Sequence, residues 1–181
     1  MISDLVFITG NQHKADYLAK WLGVPLAHQK VDLPEIQSLD LREVVEDKAR
    51  RAYDIVKKPV LVEDVALSFD VYGRLPGTLI KWYIHELGNE KICRLLDNQS
   101  NRNATAAICF CLFDGHAAHF FDASMSGSIA EHPRGTNGFG WDEIFISDGM
   151  DKTRAELDDD EQAATSMRRI AHDELRAYLT K

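Results

Sequence analysis

The sequence predicts an α/β fold with a long mixed central sheet flanked by helices, and two observations support this. In residues 5–62, short apolar runs alternate with amphipathic helical patterns, as in strands joined by helices. Residues 104–113 and 117–130 are long strand-like segments separated by Asp114-Gly115, which predicts an antiparallel hairpin. We expect two lobes with an active-site cleft between them. With 181 residues and no visible linker, residues 1–181 are predicted to form a single domain.

The first half of the chain predicts three strands and two helices. Residues 5–8 form a short apolar strand, and further strands are expected at 27–32 and 60–62. Asn11 is a typical N-cap for a helix over about 12–22, with Gly23 at its end. Apolar residues at helical spacing predict a second helix over 41–56, which Pro59 ends.

The second half predicts more helix around the hairpin. Helices are expected over 79–87 and 90–96, joined near Gly88. A glycine-rich loop should span 133–142, followed by a short strand at 144–146. The chain should end in one helix from about residue 160 to 179, with a charged outer face.

Composition excludes several classes of protein. With 21 basic and 29 acidic residues, the net charge of −8 argues against a nucleic-acid polymer as partner, but not against a small anion. The longest apolar runs are shorter than the roughly 20 residues that span a bilayer, and the N-terminus does not resemble a signal peptide. Three cysteines, an odd number, favour reduced thiols. We therefore expect a cytoplasmic protein without a membrane partner, and surface histidines.

Thr9-Gly10-Asn11 marks the point where the first strand ends and the first helix begins. The free amides and positive dipole of a helix N-terminus suit a phosphate, and Lys14 adds a full charge in the first turn. The alternative is an ordinary strand-to-helix turn with a solvated lysine. The glycine spacing matches neither a Walker loop nor a dinucleotide fingerprint.

Glu63 and Asp64 follow the predicted strand at 60–62. Ligands in α/β folds bind at the carboxyl ends of strands, and Mg²⁺ is held there by one or two carboxylates together with phosphate oxygens. Adjacent strand residues face opposite ways, so only one of the pair should face a given site. Glu35 is a second candidate acid. The alternative is that Glu63 or Asp64 caps the following turn.

The loop around Phe139 is the third candidate. Glycines on both sides bring its backbone close to whatever the loop touches, and the Phe139 ring offers a flat face for stacking on a base. Asp142 could accept hydrogen bonds or support a metal. The alternative places Phe139 and Trp141 in the core, which we favour for Trp141.

Taken in order, these segments resemble the inosine triphosphate pyrophosphatase family. Its members hydrolyse non-standard purine nucleoside triphosphates (ITP, dITP, XTP) to monophosphate and pyrophosphate. The match runs nearly end to end, and the motifs that carry it are Thr9-Gly10-Asn11 with Lys14, Leu33-Pro34-Glu35, Val62-Glu63-Asp64, Leu75-Pro76-Gly77 with Lys81, Ser126-Gly127, Pro133-Arg134-Gly135 and Phe139-Gly140-Trp141-Asp142.

The resemblance implies roles for these positions. Asp64 would be a metal ligand or the base that prepares the attacking water, and Glu35 would hold Mg²⁺ with it. Lys14 and Lys48 would hold the triphosphate beside the turn amides of Asn11. It also implies a homodimer. The catalytic set is Lys14, Glu35 and Asp64, and the substrate-binding set is Thr9, Gly10, Asn11, Lys48, Phe139, Gly140, Trp141, Asp142, Gln162, Ser166, Met167 and Arg168.

The last helix departs from the family pattern. Members normally have a lysine and then Ser-His-Arg there, groups that read the 6-oxo edge of the purine. This chain has Gln162 and then Ser166-Met167-Arg168, and methionine donates no hydrogen bond. Two alternatives remain open: a paralogue for another modified or a pyrimidine nucleoside triphosphate, and a non-catalytic nucleotide-binding protein. Retention of both candidate metal acids argues against the second.

Overall fold

The computed structural model describes residues 4–23 and 26–180, with the side chain of His13 left outside the description. Within these residues the strands are β1 (Val6–Ile8), β2 (Ala27–Gln29), β3 (Val60–Phe69), β4 (Pro76–Gly77), β5 (Asn103–Phe113), β6 (Ala118–Ile129) and β7 (Phe145–Ser147). The helices are α1 (Gln12–Leu22), α2 (Leu41–Val56), α3 (Ile80–Arg94), α4 (Asp159–Ala164) and α5 (Met167–Leu179).

The seven strands found in the described residues form one mixed sheet, which confirms the predicted α/β class. Its order is β2-β1-β3-β5-β6-β7, with β4 paired to β3. Strand β1 runs parallel to β2 and β3, whereas β4 is antiparallel to β3 and β7 is antiparallel to β6. None of the helices in the described part of the chain is long and apolar enough to cross a membrane.

The described chain falls into two compact units. Unit 1 comprises the described residues of 4–64, 108–123 and 168–180, and unit 2 comprises residues 65–107 and 124–167. Strands β3, β5 and β6 each contribute residues to both. The single-domain assignment for residues 1–181 stays a prediction.

The core of unit 1 forms where α2 packs on β3 and β5. Its fully buried members are Val45, Ala49 and Ala52 from the helix, Val60 and Val62 from β3, and Cys109 and Cys111 from β5. Burial of a valine-sized side chain contributes roughly 1.5–3 kcal/mol. All three cysteines of the chain are buried and free, and burial raises the pKa of Cys93 to about 11 and of Cys109 and Cys111 to about 12.

Local sequence signals set the helix boundaries as predicted. The Asn11 side chain accepts a hydrogen bond from the Lys14 amide at 3.3 Å, and Gly23 ends α1 in the left-handed region. Helix α2 has the predicted bounds, with Asp40 as its N-cap. Gly88 (φ 73°, ψ 160°) interrupts α3 and confirms the predicted break.

Strand β3 is longer than predicted. It continues through Glu63 and Asp64 to Phe69, so the two acids lie within a strand and the prediction that they follow its end was wrong. The continuation is held by pairing with β4, at Leu67 and Ser68. Strand β1 pairs with β3 at Val60 and Leu61 and ends one residue later. The two acids therefore lie beyond the carboxyl end of β1, the neighbouring parallel strand.

Other predictions need correction. Strand β2 covers 27–29 rather than 27–32. The predicted last helix is two helices, with Thr165 and Ser166 between them. The Thr165 hydroxyl donates to the Glu161 carbonyl at 3.0 Å, the kind of local side-chain contact that competes with regular helix. His172 is only 2% exposed and packs among Tyr17, Trp21 and Phe110, so the expectation of a surface histidine was wrong there.

Candidate functional site

Glu63 on β3 binds two cations from two helices. The Lys14 Nζ of α1 lies 3.0 Å from Glu63 Oε1, and the Arg168 Nη1 of α5 lies 2.6 Å from the same oxygen. The Glu63 side chain is 5% exposed. Burial alone would raise its pKa, but Arg168 and Lys14 together hold the pKa at about 2. We call these three residues the Glu63 cluster; its carboxylate is ionised at neutral pH.

Asp64 belongs to a second group of charges. The Lys48 Nζ of α2 donates to Asp64 Oδ2 at 2.5 Å and to Glu35 Oε1 at 2.8 Å. Burial raises the pKa of Asp64, and the neighbouring Glu35 carboxyl raises it further, against the opposing effect of Lys48. The two carboxylates in turn raise the pKa of Lys48, although burial works in the other direction. We call these three residues the Asp64 cluster.

The two clusters carry opposite surplus charge. The formal charges of the three residues sum to +1 in the Glu63 cluster and to −1 in the Asp64 cluster. Neighbouring strand residues point to opposite sides, so Glu63 and Asp64 take different partners. Lys14, Arg168 and Glu63 were all singled out in the sequence, but the pairing of Glu63 with the two cations was not predicted. The strand pattern around Glu63 and Asp64 was the available signal.

The turn between β1 and α1 places backbone amides near Lys14. The Asn11 amide donates to Thr9 Oγ1 at 3.1 Å, while the Thr9 amide donates to the Gln29 carbonyl of β2 at 3.0 Å. A Cβ at Gly10 would lie 3.1 Å from the Lys30 side chain, so a larger residue would displace it. Gly10 and Asn11 are exposed, as an anion-binding turn requires.

The Asp64 cluster has donors that fit Mg²⁺. Within residues 4–23 and 26–180, no group of three or more His, Cys, Asp or Glu residues is placed to hold a metal ion. The Glu35 and Asp64 carboxylates nevertheless converge on one ammonium group. Mg²⁺ is commonly held by one or two carboxylates plus substrate phosphate oxygens. This pair therefore suits an ion that arrives with a phosphorylated ligand.

The loop of unit 2 presents Phe139 to solvent. Its side chain is 61% exposed. Asp142 Oδ2 accepts a hydrogen bond from the Phe139 amide at 2.9 Å, and Asp142 Oδ1 accepts one from Arg154 Nε at 3.2 Å. A Cβ at Gly138 would lie 2.4 Å from Asp142 Oδ2, so this close approach requires glycine. Asp142 therefore shapes the loop that carries Phe139.

The other predicted residues of unit 2 are engaged within the fold. Trp141 is 8% exposed and meets Phe145 edge-on at 5.4 Å, as a core residue does. Gln162 Nε2 donates to the Arg154 carbonyl at 2.7 Å. Met167 is 4% exposed. Ser166 lies in the turn between α4 and α5, where its amide donates to the Ala163 carbonyl at 3.4 Å.

The structure thus divides the predicted site residues between the two units. Unit 1 brings together the cations and carboxylates, and unit 2 carries the loop and the segment before α5. The predicted residues of unit 1 are Thr9, Gly10, Asn11, Lys14, Glu35, Lys48, Asp64 and Arg168; those of unit 2 are Phe139, Gly140, Trp141, Asp142, Gln162, Ser166 and Met167.

Comparison with known proteins gives a consistent result. The model of the Ham1 family matches residues 5–178. Inosine triphosphate pyrophosphatase 2 of Trypanosoma cruzi is 39% identical over 179 residues, covering 96% of this chain and 91% of the relative. Inosine triphosphate pyrophosphatase of Schizosaccharomyces pombe is 36% identical, covering 99% of this chain and 96% of its own. A solved HAM1 protein from Coxiella burnetii superposes with a TM-score of 0.84 at 27% identity, covering 97% of this chain and 98% of that one.

Proposed function

This chain belongs to the Ham1 family, and from that premise we propose that it is a nucleoside triphosphate pyrophosphatase. It hydrolyses non-standard purine nucleoside triphosphates (ITP, dITP, XTP) to the monophosphate and pyrophosphate. The relatives named inosine triphosphate pyrophosphatase support this activity. The observation that carries it is the pair of oppositely charged clusters built on adjacent residues of β3.

The Glu63 cluster is suited to a triphosphate. Glu63 fixes Lys14 and Arg168, so part of the entropy of ordering two long cations is already lost before a ligand arrives. Their surplus positive charge and the exposed amides of Gly10 and Asn11 offset the phosphate charge. In phosphoryl transfer the protein contributes mainly by positioning the reacting groups and neutralising the phosphate charge.

The Asp64 cluster is suited to the attacking water. Mg²⁺ would be held by Glu35 and Asp64, and when bound it supplies charge neutralisation and a water of lowered pKa. Asp64 would serve either as a ligand of that ion or as the base that prepares the attacking water, and it shares the Lys48 ammonium group with Glu35. Lys48 keeps the two carboxylates together.

The Phe139 loop supplies a surface for the base. The exposed ring of Phe139 offers a face on which a purine stacks, and Asp142 holds that loop in place. Trp141 supports the loop from the core rather than touching the substrate. We also propose, from the family resemblance, that the protein is a cytoplasmic homodimer. The net charge of −8 supports a nucleotide over a nucleic-acid polymer as its partner.

A second candidate is a paralogue that prefers another modified or a pyrimidine nucleoside triphosphate. It is favoured by Gln162, whose amide is used by the Arg154 carbonyl, and by Met167, which is buried. Neither side chain is arranged to donate to a base. A non-catalytic nucleotide-binding protein is disfavoured, because binding alone does not need two carboxylates on one cation.

Pyrophosphate release with Mg²⁺ over a panel of triphosphates tests the proposal. The panel includes ITP, dITP, XTP, the four common ribonucleotides and modified pyrimidines, with EDTA as the control. We expect turnover of the non-standard purines that stops with EDTA. Turnover confined to other triphosphates would establish the paralogue. Binding without release from any triphosphate would contradict the proposed reaction.

A further inference from the structure

Asn89 of α3 is tied to the loop that carries Phe139. Its Nδ2 donates to the Gly140 carbonyl at 2.8 Å and to Glu143 Oε2 at 3.0 Å. An asparagine amide has two hydrogens, so both are used on this segment. Residue 89 lies in unit 2 together with the loop.

The backbone break in α3 places Asn89 where it can do this. Gly88 adopts φ 73° and ψ 160°, a conformation open to glycine and costly for other residues. Asn89 then begins the second helical segment directly after the break. A continuous helix would direct residue 89 elsewhere, because its position around the helix axis would follow from the residues before it.

The position of Phe139 depends on such backbone contacts. Its ring is 61% exposed. Asp142 binds the Phe139 amide on one side, and Asn89 binds the Gly140 carbonyl on the other. The two contacts bracket Phe139 along the chain, between Gly138 and Gly140, which both have positive φ values.

Asn89 also carries an unusual buried acceptor. Within the described residues, its Oδ1 is buried and finds no hydrogen-bond partner. An unpaired buried oxygen destabilises a fold, and a native example calls for an explanation. A hydrophobic residue would avoid this cost if residue 89 served only to pack α3. Retention of the amide fits a role for its two donors.

We propose that Asn89 is a positioning residue that fixes the Phe139 loop for stacking on the base. The proposal rests on the proposed function, in which Phe139 receives the base. Asn89 acts through the Gly140 carbonyl and does not touch the substrate. It therefore sets the affinity for the base and not the chemistry at the phosphates.

Three variants test this role. Asn89→Ala removes both donors, and Asn89→Asp replaces them with a carboxylate facing Glu143 and should be worse. Asn89→Asp combined with Glu143→Gln restores one donor–acceptor contact in reverse and should recover part of the loss. Asn98→Ala is the matched control, since Asn98 is exposed beyond the end of α3.

Steady-state kinetics with ITP separate binding from chemistry. For Asn89→Ala we expect KM to rise about tenfold, as the loss of a charge-assisted hydrogen bond allows, with kcat changed less than about twofold. The Ki of inorganic tripolyphosphate, which has no base, should match that of the unsubstituted protein. If KM and this Ki rise together, or if KM does not change, the proposal is wrong.

Hydrogen exchange of the backbone amides of residues 136–143 can be measured without substrate, so it does not depend on activity. Asn89→Ala should speed exchange there while leaving α2 protected, and Asn98→Ala should change neither. Unchanged exchange in the loop would overturn the proposal, as would faster exchange across all of unit 2. If the unsubstituted protein releases no pyrophosphate, the proposed function fails, while exchange still tests whether Asn89 fixes the loop.

Discussion

The two charged clusters of unit 1 are built on neighbouring residues of β3 but have opposite ratios of acids to cations. In the Glu63 cluster one acid serves two cations, and the pKa of that acid falls to about 2. In the Asp64 cluster one cation serves two acids, and the pKa of Asp64 rises. Both acids are largely buried, so desolvation acts on them in the same direction. The direction of each pKa shift therefore depends on the charges beside the acid. Two cations lower the pKa of Glu63, whereas one cation and a second carboxylate leave the pKa of Asp64 raised.

The difference shows how one strand can serve two needs of a reaction at a phosphate. In the proposed function, the net positive charge of the Glu63 cluster would attract the triphosphate, and the net negative charge of the Asp64 cluster would attract a divalent cation. Alternation of side chains along β3 keeps the two environments apart without a separate element for each.

Replacing Asp64 should have the largest effect on activity. Asp64→Asn keeps the shape of the side chain but removes the carboxylate proposed to act as metal ligand or proton acceptor, so turnover should fall by roughly 10²–10⁴-fold. Stability should change little, because Lys48 keeps Glu35. Pyrophosphate release and thermal unfolding measure the two effects. Asp54→Asn, at an exposed acid of α2, is the control; near-normal turnover of Asp64→Asn would remove Asp64 from the chemistry.

Replacing Glu63 should instead affect stability most. Glu63→Gln removes the buried carboxylate that both Lys14 and Arg168 contact, which should cost roughly 3–5 kcal/mol in unfolding free energy. Urea denaturation measures this loss. The control is Glu46→Gln, which breaks an exposed pair with Arg50 and should cost about 0.5 kcal/mol or less. Equal losses in the two variants would contradict the buried role of Glu63.

The folded state should lose stability in acid in two steps, the first from His172 and the second from Glu63. Burial lowers the pKa of His172, which lies one turn after Arg168, to about 4. Below pH 6.5 the unfolded chain therefore binds a proton that the folded chain refuses, so stability falls between about pH 6.5 and 4. The Glu63 contribution is lost below that, from about pH 4.5 down to 2. Unfolding measured across pH should show the first loss disappear in His172→Phe; its persistence would assign that loss to another group.

The smallest expected effect is a change of base preference that leaves both clusters alone. Met167→His restores the family residue at the start of α5. We expect kcat/KM for ITP relative to ATP to rise by about tenfold, the value of one added hydrogen bond to a base edge. Asp64→Asn should lower kcat/KM for ITP and for ATP by equal factors. An unchanged ratio in Met167→His would show that this position does not contact the base.

Much of unit 1 was predictable, because its signals are local. The bounds of α2 follow from apolar spacing and Pro59, and those of α1 from Asn11 and Gly23. Strand β3 was predicted too short, since two acids in succession look like the end of a buried strand. Its continuation depends on pairing with β4, which lies later in the chain.

The charged partners were predictable only in part. The sequence indicated that Lys14, Glu35, Lys48 and Asp64 share a site, and the structure joins three of these four in the Asp64 cluster. Lys14 instead forms an ion pair with Glu63, which also pairs with Arg168, a residue far from Glu63 in the sequence. No local pattern reports such a pairing. The separation of α4 from α5 was also missed, since only Thr165 and Ser166 lie between the two helices.

The buried cysteines can report local opening of the structure. Cys109 and Cys111 are sealed in unit 1 and Cys93 in unit 2, and all three remain thiols at neutral pH. A maleimide reaches each sulfur only when the surrounding structure opens. The order in which the three cysteines become labelled would therefore show which unit opens first, with no substitution made in the sequence.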